Sequence, residues 1–201
     1  MRLAITLTAL LVLSTPALAA ENWRDVAHPY DVERIDTLGA AVAKGDAEAE
    51  GKGSGYEQAV AKLLMGAPAG DVDKQAITGA WRCRTIKVGG NFAQLVIYGW
   101  FKCEIAARGD ELFVEKTSGS QKFAGQLYAD GPRRMVLLGG GYYGYEGQRT
   151  YQADDSTDGK SPDNRDKVAV VEMLGPDWLR FVFPYPVRES TYDIVEFRRA
   201  E

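Results

Sequence analysis

The sequence predicts an α+β protein in which a short N-terminal helical segment precedes an antiparallel, mostly meander, β-barrel-like domain of eight or nine strands. Three observations support this fold class. Apolar residues recur at three- and four-residue steps up to Met65, which is typical of amphipathic helices. From Gly79 onward the period changes to two. Turn residues, and no intervening helices, separate the strand-like runs that follow.

Composition limits the classes of function. The chain has 201 residues, of which 45% are hydrophobic, so it can form a core and wholesale disorder is not expected. Its 28 acidic residues against 24 basic ones argue against nucleic acid or an anionic membrane as the main partner. One His and two Cys leave almost nothing for a His/Cys metal site. We expect no metal and no cofactor.

The first 19 residues have the pattern of a cleavable signal peptide. Arg2 precedes an apolar run over residues 3–13, and Ala17-Leu18-Ala19 is an A-x-A cleavage pattern, so we expect cleavage after Ala19. The run is shorter than the ~20 residues that span a bilayer. The predicted product is periplasmic or secreted, with no integral membrane segment after cleavage. Its predicted divisions are a helical lead and linker over 20–75 and a β domain over 76–201.

The lead is predicted to hold two helices. Asp31 follows a proline and is the expected N-cap of the first, which Gly45 and the glycine-rich residues 51–55 are expected to end. The second is predicted over residues 56–65. The residues predicted to face inward are Val32, Ile35, Leu38 and Val42 in the first helix, and Tyr56, Val60, Leu63 and Leu64 in the second.

The β domain could be a barrel or a sandwich. Gly79-Ala80-Trp81 is the G-x-W tripeptide seen at the first strand of lipocalin-like (calycin-like) barrels, and it favours a barrel. The predicted strands are 80–88, 95–106, 111–116, 121–129, 134–138, 148–152, 168–174, 178–183 and 192–198.

Export changes the interpretation of the cysteine pair. In an oxidising compartment Cys83 and Cys103 are expected to form a disulfide, with two buried thiols as the alternative. If they face each other on neighbouring strands, Arg82 faces Glu104 and Arg84 faces Lys102. One strand face then becomes core, and the arginines lie on the opposite face together with Tyr98 and Trp100.

The arginine-bearing face is the sharpest candidate for a binding site, because guanidinium groups beside aromatic rings can hold an anion through forked hydrogen bonds. The alternative is a surface ion-pair lattice, with Arg82 paired to Glu104 and the N-terminal helices covering it. The candidate ligand-binding residues are Arg82, Arg84, Lys87, Tyr98, Trp100, Glu104, Lys116, Ser120 and Gln121.

Other motifs predict little chemistry. Residues 139–144 satisfy G-x-G-x-x-G without the following helix that phosphate binding needs, so a wide glycine-rich turn is expected there. The acidic run from Asp154 lacks the Glu of an EF-hand at its twelfth position. His28 lies in the lead, where a capping or surface role is expected, and no catalytic residue is predicted.

A family resemblance is carried by seven segments of the sequence, residues 82–89, 100–105, 116–122, 125–128, 164–166, 178–184 and 193–197. Together they resemble the exported bacterial family called domain of unknown function 4893 (DUF4893). The resemblance spans nearly all of the mature chain, although Trp81 stands where the family tends to have Tyr. It implies no activity, because none is established for the family.

These observations predict a non-catalytic binding or interaction module of the cell envelope. Its expected partner is a small anionic or envelope-derived ligand, or a protein, held at the barrel mouth or on the arginine face. Two alternatives remain open. The first is an inhibitor of exported proteases, which would act through an exposed N-terminal segment. The second is a hydrolase with an acidic pair, which would need a carboxyl group of raised pKa in a concave pocket.

Overall fold

The computed structural model describes residues 22–152 and 164–200. The predicted signal peptide and the acidic run that begins at Asp154 lie outside these residues. The helices are α1 (Trp23–Val26), α2 (Pro29–Asp36), α3 (Leu38–Ala49), α4 (Gly55–Leu64) and the single turn α5 (Gly90–Ala93). The strands are β1 (Gly79–Val88), β2 (Leu95–Ile97), β3 (Phe101–Arg108), β4 (Glu111–Lys116), β5 (Gln121–Ala129), β6 (Arg134–Tyr143), β7 (Asp166–Gly175), β8 (Trp178–Pro184) and β9 (Tyr192–Arg199).

The sheet closes into a barrel. Each strand from β3 to β9 pairs antiparallel with the next, and β1 pairs with both β3 and β9, so eight strands form a closed ring. The short β2 is a ninth strand that pairs with the last three residues of β1. The predicted fold class is confirmed, and the choice between barrel and sandwich is resolved in favour of the barrel.

Aromatic side chains pack among aliphatic ones in the barrel interior. Phe181 and Phe197 stack with ring centroids 4.3 Å apart, and Trp81 meets Phe197 edge to face at 6.3 Å. All three are buried, and burial of an aromatic side chain dominates the energetics of a core. The middle of the barrel is therefore a packed core.

The helices pack on the outer surface of the barrel, chiefly against β1, β2 and β7 to β9. Polar contacts fix them there as well as apolar ones. The Arg34 guanidinium donates to the Pro184 carbonyl (3.0 Å), and Arg180 donates to the Leu64 carbonyl (2.6 Å). The buried Tyr192 donates its hydroxyl proton to Asp46 (2.6 Å). The lead is therefore docked along its length.

The predicted start of the first helix is wrong. His28 is the N-cap, since its Nδ1 accepts from the Tyr30 amide, and Pro29 takes the first helical position, where no amide hydrogen is needed. Asp31 lies in the first turn, buried in an ion pair with Arg34 (2.8 Å). The capping role expected of His28 is confirmed.

The remaining lead also departs from expectation. The chain breaks at Thr37 between α2 and α3, and Gly45 lies inside α3 without ending it. Tyr56 and Leu63, expected to face inward, are 62% and 59% exposed. Only part of the α4 surface contacts the barrel. Fewer of its apolar residues are therefore buried than the periodicity predicted.

Three predicted strands differ from the observed ones by more than two residues. The run 95–106 is interrupted at residues 98–100, which separate β2 from β3, and residues 148–152 form no strand. The glycines 139–141 lie within β6, not in a turn. They belong there because β5 and β6 approach closely: a Cβ added at Gly125 would lie 2.3 Å from the Gly139 Cα. The bounds of β4 and β5 match the predictions.

The predicted register of β1 and β3 is wrong by two residues. Cys103 lies opposite Trp81, and Arg82 lies opposite Lys102 where Glu104 was expected. The disulfide between Cys83 and Cys103 is nevertheless present, with their Cα atoms 5.9 Å apart, so it joins diagonal positions. A shift of two residues preserves which side chains face inward, because strand side chains alternate with period two.

Two glycines of α3 provide a test of how closely the lead packs on β9. A Cβ at Gly45 would lie 2.5 Å from the Tyr192 ring, whereas a Cβ at Gly39 would have nothing within 4 Å. We expect Gly45→Ala to lower the free energy of unfolding by about 1–3 kcal/mol through overpacking. Gly39→Ala should raise it by about 0.5 kcal/mol. Urea unfolding of the two variants measures these changes in the free energy of unfolding. Equal changes in the two variants would contradict the close packing of Gly45 on Tyr192.

Candidate functional site

A cleft of about 240 Å³ lies at the end of the barrel where β1 and β4 finish and β5, β7 and β9 begin. A second cavity of about 180 Å³ adjoins it and shares several of its lining residues. We call the first cavity the lysine cleft. Its charged lining residues are Lys87, Lys116, Lys122, Lys167, Glu189 and Asp193.

The alternation of side chains along three strands brings lysines into this cleft. The inward-facing residues of β1 are apolar up to Thr85, and the next inward position is Lys87. In β4 the inward series ends at Lys116, and in β7 it begins at Lys167. Neighbouring strands of an antiparallel barrel run in opposite directions, so the ends of some strands and the starts of others meet at one rim.

The floor of the lysine cleft is apolar. Phe123 and Phe183 are buried and meet edge to face with their ring centroids 5.6 Å apart. Phe101 is half-buried at the side of the cleft. The cleft therefore has an apolar base and a positively charged rim.

Lys87 is the neutralised cation of the cleft. Its ammonium lies 3.0 Å from Glu189 and 3.5 Å from Asp193. Burial lowers the pKa of Lys87, but the attraction of these two carboxylates outweighs burial, so its pKa is raised. Lys87 therefore stays protonated, and its charge is already balanced inside the protein.

Lys116 has a different environment. It is only 7% exposed, its ammonium donates to the Gln121 carbonyl (2.7 Å), and it lies 3.9 Å from the centre of the Phe101 ring. Among residues 22–152 and 164–200, no carboxylate oxygen lies within 4.0 Å of its nitrogen. Burial, helped by the nearby charge of Lys122, lowers the pKa of Lys116 to about 8.

Lys167 also lacks a close counterion in the described part of the chain. It packs over Gly141, where an added Cβ would lie 3.0 Å from its Cε. Burial lowers its pKa, and the charges of Arg34 and Lys87 act in the same direction, against the attraction of Asp193 and Glu189. The cleft thus contains two lysines, the buried Lys116 and the half-buried Lys167, with no carboxylate within 4.0 Å among the described residues.

The structure divides the predicted site residues into two groups that do not meet. Sequence reasoning grouped them around the arginine-bearing face, but Lys87 belongs to the inward face of β1 and Tyr98 lines the cleft. Lys87, Tyr98, Lys116, Ser120 and Gln121 line the lysine cleft, and Arg82, Arg84, Trp100 and Glu104 lie on the outer surface.

The outer arginines make structural contacts. Arg84 Nε lies 2.7 Å from Glu196, and its Nη1 donates to the Tyr56 hydroxyl of α4 (3.0 Å). The guanidinium carbons of Arg82 and Arg84 lie 5.0 and 4.6 Å from the centre of the Trp100 ring. Arg84 therefore has the ion pair and helix contact of the expected surface lattice, but with Glu196 as its partner, and Arg82 does not face Glu104.

Sequence reasoning missed Lys122, Lys167, Glu189 and Asp193. Lys167 and Asp193 could have been found by continuing the inward series of their strands to the rim. Glu189 follows no strand alternation because it lies in the loop before β9, so no periodic signal marks it.

Metal sites and membrane-spanning helices are two other features that bear on function. No group of three or more His, Cys, Asp or Glu side chains there is arranged to hold a metal ion. None of the helices in the described ranges is both long and apolar enough to span a membrane. The side chains that line the lysine cleft include amines, carboxylates and aromatic rings.

Comparison with known proteins gives a family and one similar fold. The family Domain of unknown function (DUF4893) matches residues 23–197. No curated protein matches the chain. Among solved structures, a redesigned β-barrel is similar over 64% of this chain and 95% of its own, with 10% sequence identity and a TM-score of 0.41.

Removal of the Lys116 charge should stabilise the protein at neutral pH. Its pKa is about 8 when folded against 10.5 as the usual value, so the unfolded chain binds more protons between these values and stability rises with pH across that window. Lys116→Met should therefore raise the free energy of unfolding at pH 7 by up to ~3 kcal/mol. Loss of the contacts to Gln121 and Phe101 reduces this gain.

Urea unfolding of wild type and variant at pH 7 and pH 10.5 measures this difference. The gain is expected in full below pH 8 and should vanish by about pH 10.5, where both chains have a neutral side chain. Lys74→Met, which removes an exposed lysine, should change stability by less than about 0.5 kcal/mol. A gain that does not depend on pH would contradict the lowered pKa.

Proposed function

We propose a function for this chain, which belongs to the family Domain of unknown function (DUF4893). The proposed function is the reversible, non-catalytic binding of a small anionic ligand in the lysine cleft. The family resemblance drawn from the sequence motifs is confirmed. Because the family description assigns no activity, the geometry of the cleft is the basis of the proposal.

One observation carries the proposal. The Lys116 and Lys167 ammonium groups face a common cleft, and within the described residues no carboxylate lies within 4.0 Å of either. A buried charge is costly unless it is paired. An anion between them would restore the missing partner, and hydrogen bonds to charged groups contribute about 1.5–3 kcal/mol each.

The shape of the cleft restricts the ligand. Its volume of about 240 Å³ lies below the ~300–1,000 Å³ of common small-molecule pockets, which favours a compact ligand. The phenylalanine rings of the cleft, Phe123 and Phe183 at the floor and Phe101 at the side, favour an apolar group next to the charged one. A small amphiphilic anion satisfies both requirements.

The place of action is part of the proposal. The Cys83–Cys103 disulfide is consistent with an extracytoplasmic protein. Together with the signal peptide pattern of residues 1–19, it supports a protein of the periplasm or a secreted one. There the ligand would be a free anion of the cell envelope or its surroundings.

Neither alternative function gains support from the described residues. The helical lead, which a protease inhibitor would need exposed, is docked through Arg34, Arg180 and Tyr192. An acidic-pair hydrolase would need a carboxyl group of raised pKa. Both carboxylates of the cleft are bound to Lys87, and the carboxyl groups with a shifted pKa, Asp36, Glu48, Glu57 and Glu146, all have it lowered.

Isothermal titration calorimetry with phenyl phosphate at low ionic strength tests the proposal. We expect one saturable site per chain, with weaker binding as salt is added. Lys116→Met and Lys167→Met should each reduce the affinity at least tenfold, which corresponds to about 1.4 kcal/mol. Benzyl alcohol, which has the ring without the charge, should not bind measurably.

Arg82→Met is the matched control, because it removes one positive charge from the outer face of the barrel. Its affinity for phenyl phosphate should equal that of wild type. Loss of binding in Arg82→Met with retention in Lys116→Met would place the anion site on the outer face and overturn the proposal.

A further inference from the structure

We propose that Lys116 forms a reversible imine with the carbonyl group of a small anionic aldehyde or ketone bound in the lysine cleft. This inference deepens the proposed function and rests on it, since the same cleft must first hold the anion. It specifies the chemical class of the ligand. It also adds a covalent step to ion pairing.

The position of the Lys116 amine favours reaction with a ligand in the cleft. Lys116 ends the inward series of β4, so its four-carbon side chain is buried within the barrel and its nitrogen lies at the cleft. The nitrogen donates to the Gln121 carbonyl at 2.7 Å. A neutral amine keeps two hydrogens, so it can maintain this bond while its lone pair points towards a bound carbonyl carbon.

The surroundings of Lys116 differ from those of Lys87 in the same cleft. Lys87 lies within 3.5 Å of two carboxylates, Glu189 and Asp193, and these keep it protonated and without a lone pair. Lys116 has no such partner among the described residues and faces the Phe101 ring. The environment of Lys116, apolar and close to another cation, Lys122, is the kind that activates a lysine as a nucleophile.

The cleft offers a cation for each end of such a ligand. With the carbonyl at Lys116, the anionic group would be held by Lys167, which lines the same cleft and has no carboxylate within 4.0 Å among the described residues. Both ammonium groups line the same space of about 240 Å³. Holding the anion there places the carbonyl close to the amine and favours the addition.

The step balances without any further reactant. The neutral amine of Lys116 adds to the carbonyl carbon, and one of its protons passes to the carbonyl oxygen to form a carbinolamine. Loss of the second nitrogen proton and of the hydroxyl group releases water and leaves a C=N double bond. Hydrolysis reverses the sequence, so nothing is oxidised or reduced and the ligand can be released.

Borohydride trapping of the full mature chain tests this inference. We would incubate the protein with glyoxylate or with pyridoxal 5′-phosphate, reduce the imine, and map the adduct by peptide mass spectrometry. One adduct per chain is expected, at Lys116, at least tenfold faster than at any other lysine and half-maximal near pH 8. Propanal, a neutral aldehyde, should label Lys116 at least tenfold more slowly than glyoxylate.

Two variants complete the test. Lys116→Arg keeps the charge and cannot form an imine, so the adduct should disappear while phenyl phosphate still binds. Lys74→Arg changes an exposed lysine outside the cleft, and labelling at Lys116 should persist. If Lys116→Arg fails to fold, as judged by circular dichroism, the site distribution and pH profile of the wild-type adduct decide the question.

The outcomes separate this inference from the proposed function. Phenyl phosphate binding in the cleft with no preference for Lys116 over other lysines would overturn the imine and leave anion binding in place. Absence of both anion binding and selective labelling would overturn both. Preferential labelling of Lys87 would overturn the assignment of the nucleophile.

Discussion

The pairing of β1 with β9 is the constraint on which the rest of the structure depends. It joins residues more than a hundred positions apart in the chain, over eight consecutive residue pairs from Trp81–Arg199 to Val88–Tyr192, and it converts a meander into a closed barrel. Closure removes the exposed edges of the sheet. It also fixes an inside and an outside for every strand, so each side chain has either a packed interior or a solvent and helix side.

That division explains why the cationic residues serve two purposes. On β1 the even-numbered positions Arg82 and Arg84 face outward, where Trp100 and Glu196 contact them. The odd-numbered positions face inward and end at Lys87. Residues adjacent in sequence therefore belong to different environments: one is a surface lattice that holds α4, and the other is the rim of a cleft.

The local pattern of the sequence was sufficient to predict most of the strands and the two faces of β1. The period of two located β4 and β5 to the residue and separated core from surface on β1. The register between β1 and β3 was not predictable in the same way, because a disulfide accepts diagonal as well as opposite positions and a shift of two residues leaves the pattern unchanged. Close packing of Gly125 against Gly139 depends on the approach of two backbones, and a glycine-rich run gives the same signal in a turn and in a strand.

The candidate site was predictable only in part for a related reason. Lys87, Lys116 and Gln121 were identified from β1 and the β4–β5 region, but Lys167 and Asp193 enter the same cleft from β7 and β9. Their meeting follows from barrel closure, which no local pattern contains. Glu189 reaches Lys87 from a loop, and a loop has no periodicity that would indicate where its side chains point.

Along the barrel axis the interior changes from packed rings to charged side chains at the rim. This change points to the cleft as the functional end of the barrel. Below the rim the interior is filled by rings such as Phe181 and Phe197, and such packing gives the fold its stability. At the rim the described chain instead holds the buried Lys116 and the half-buried Lys167 without a carboxylate within 4.0 Å, whereas buried charges are usually paired. A protein selected for stability alone would place methionine or leucine at these positions. Local departures from the packing rules that weaken the fold are typical of functional sites, and here two of them occur together, facing the same space.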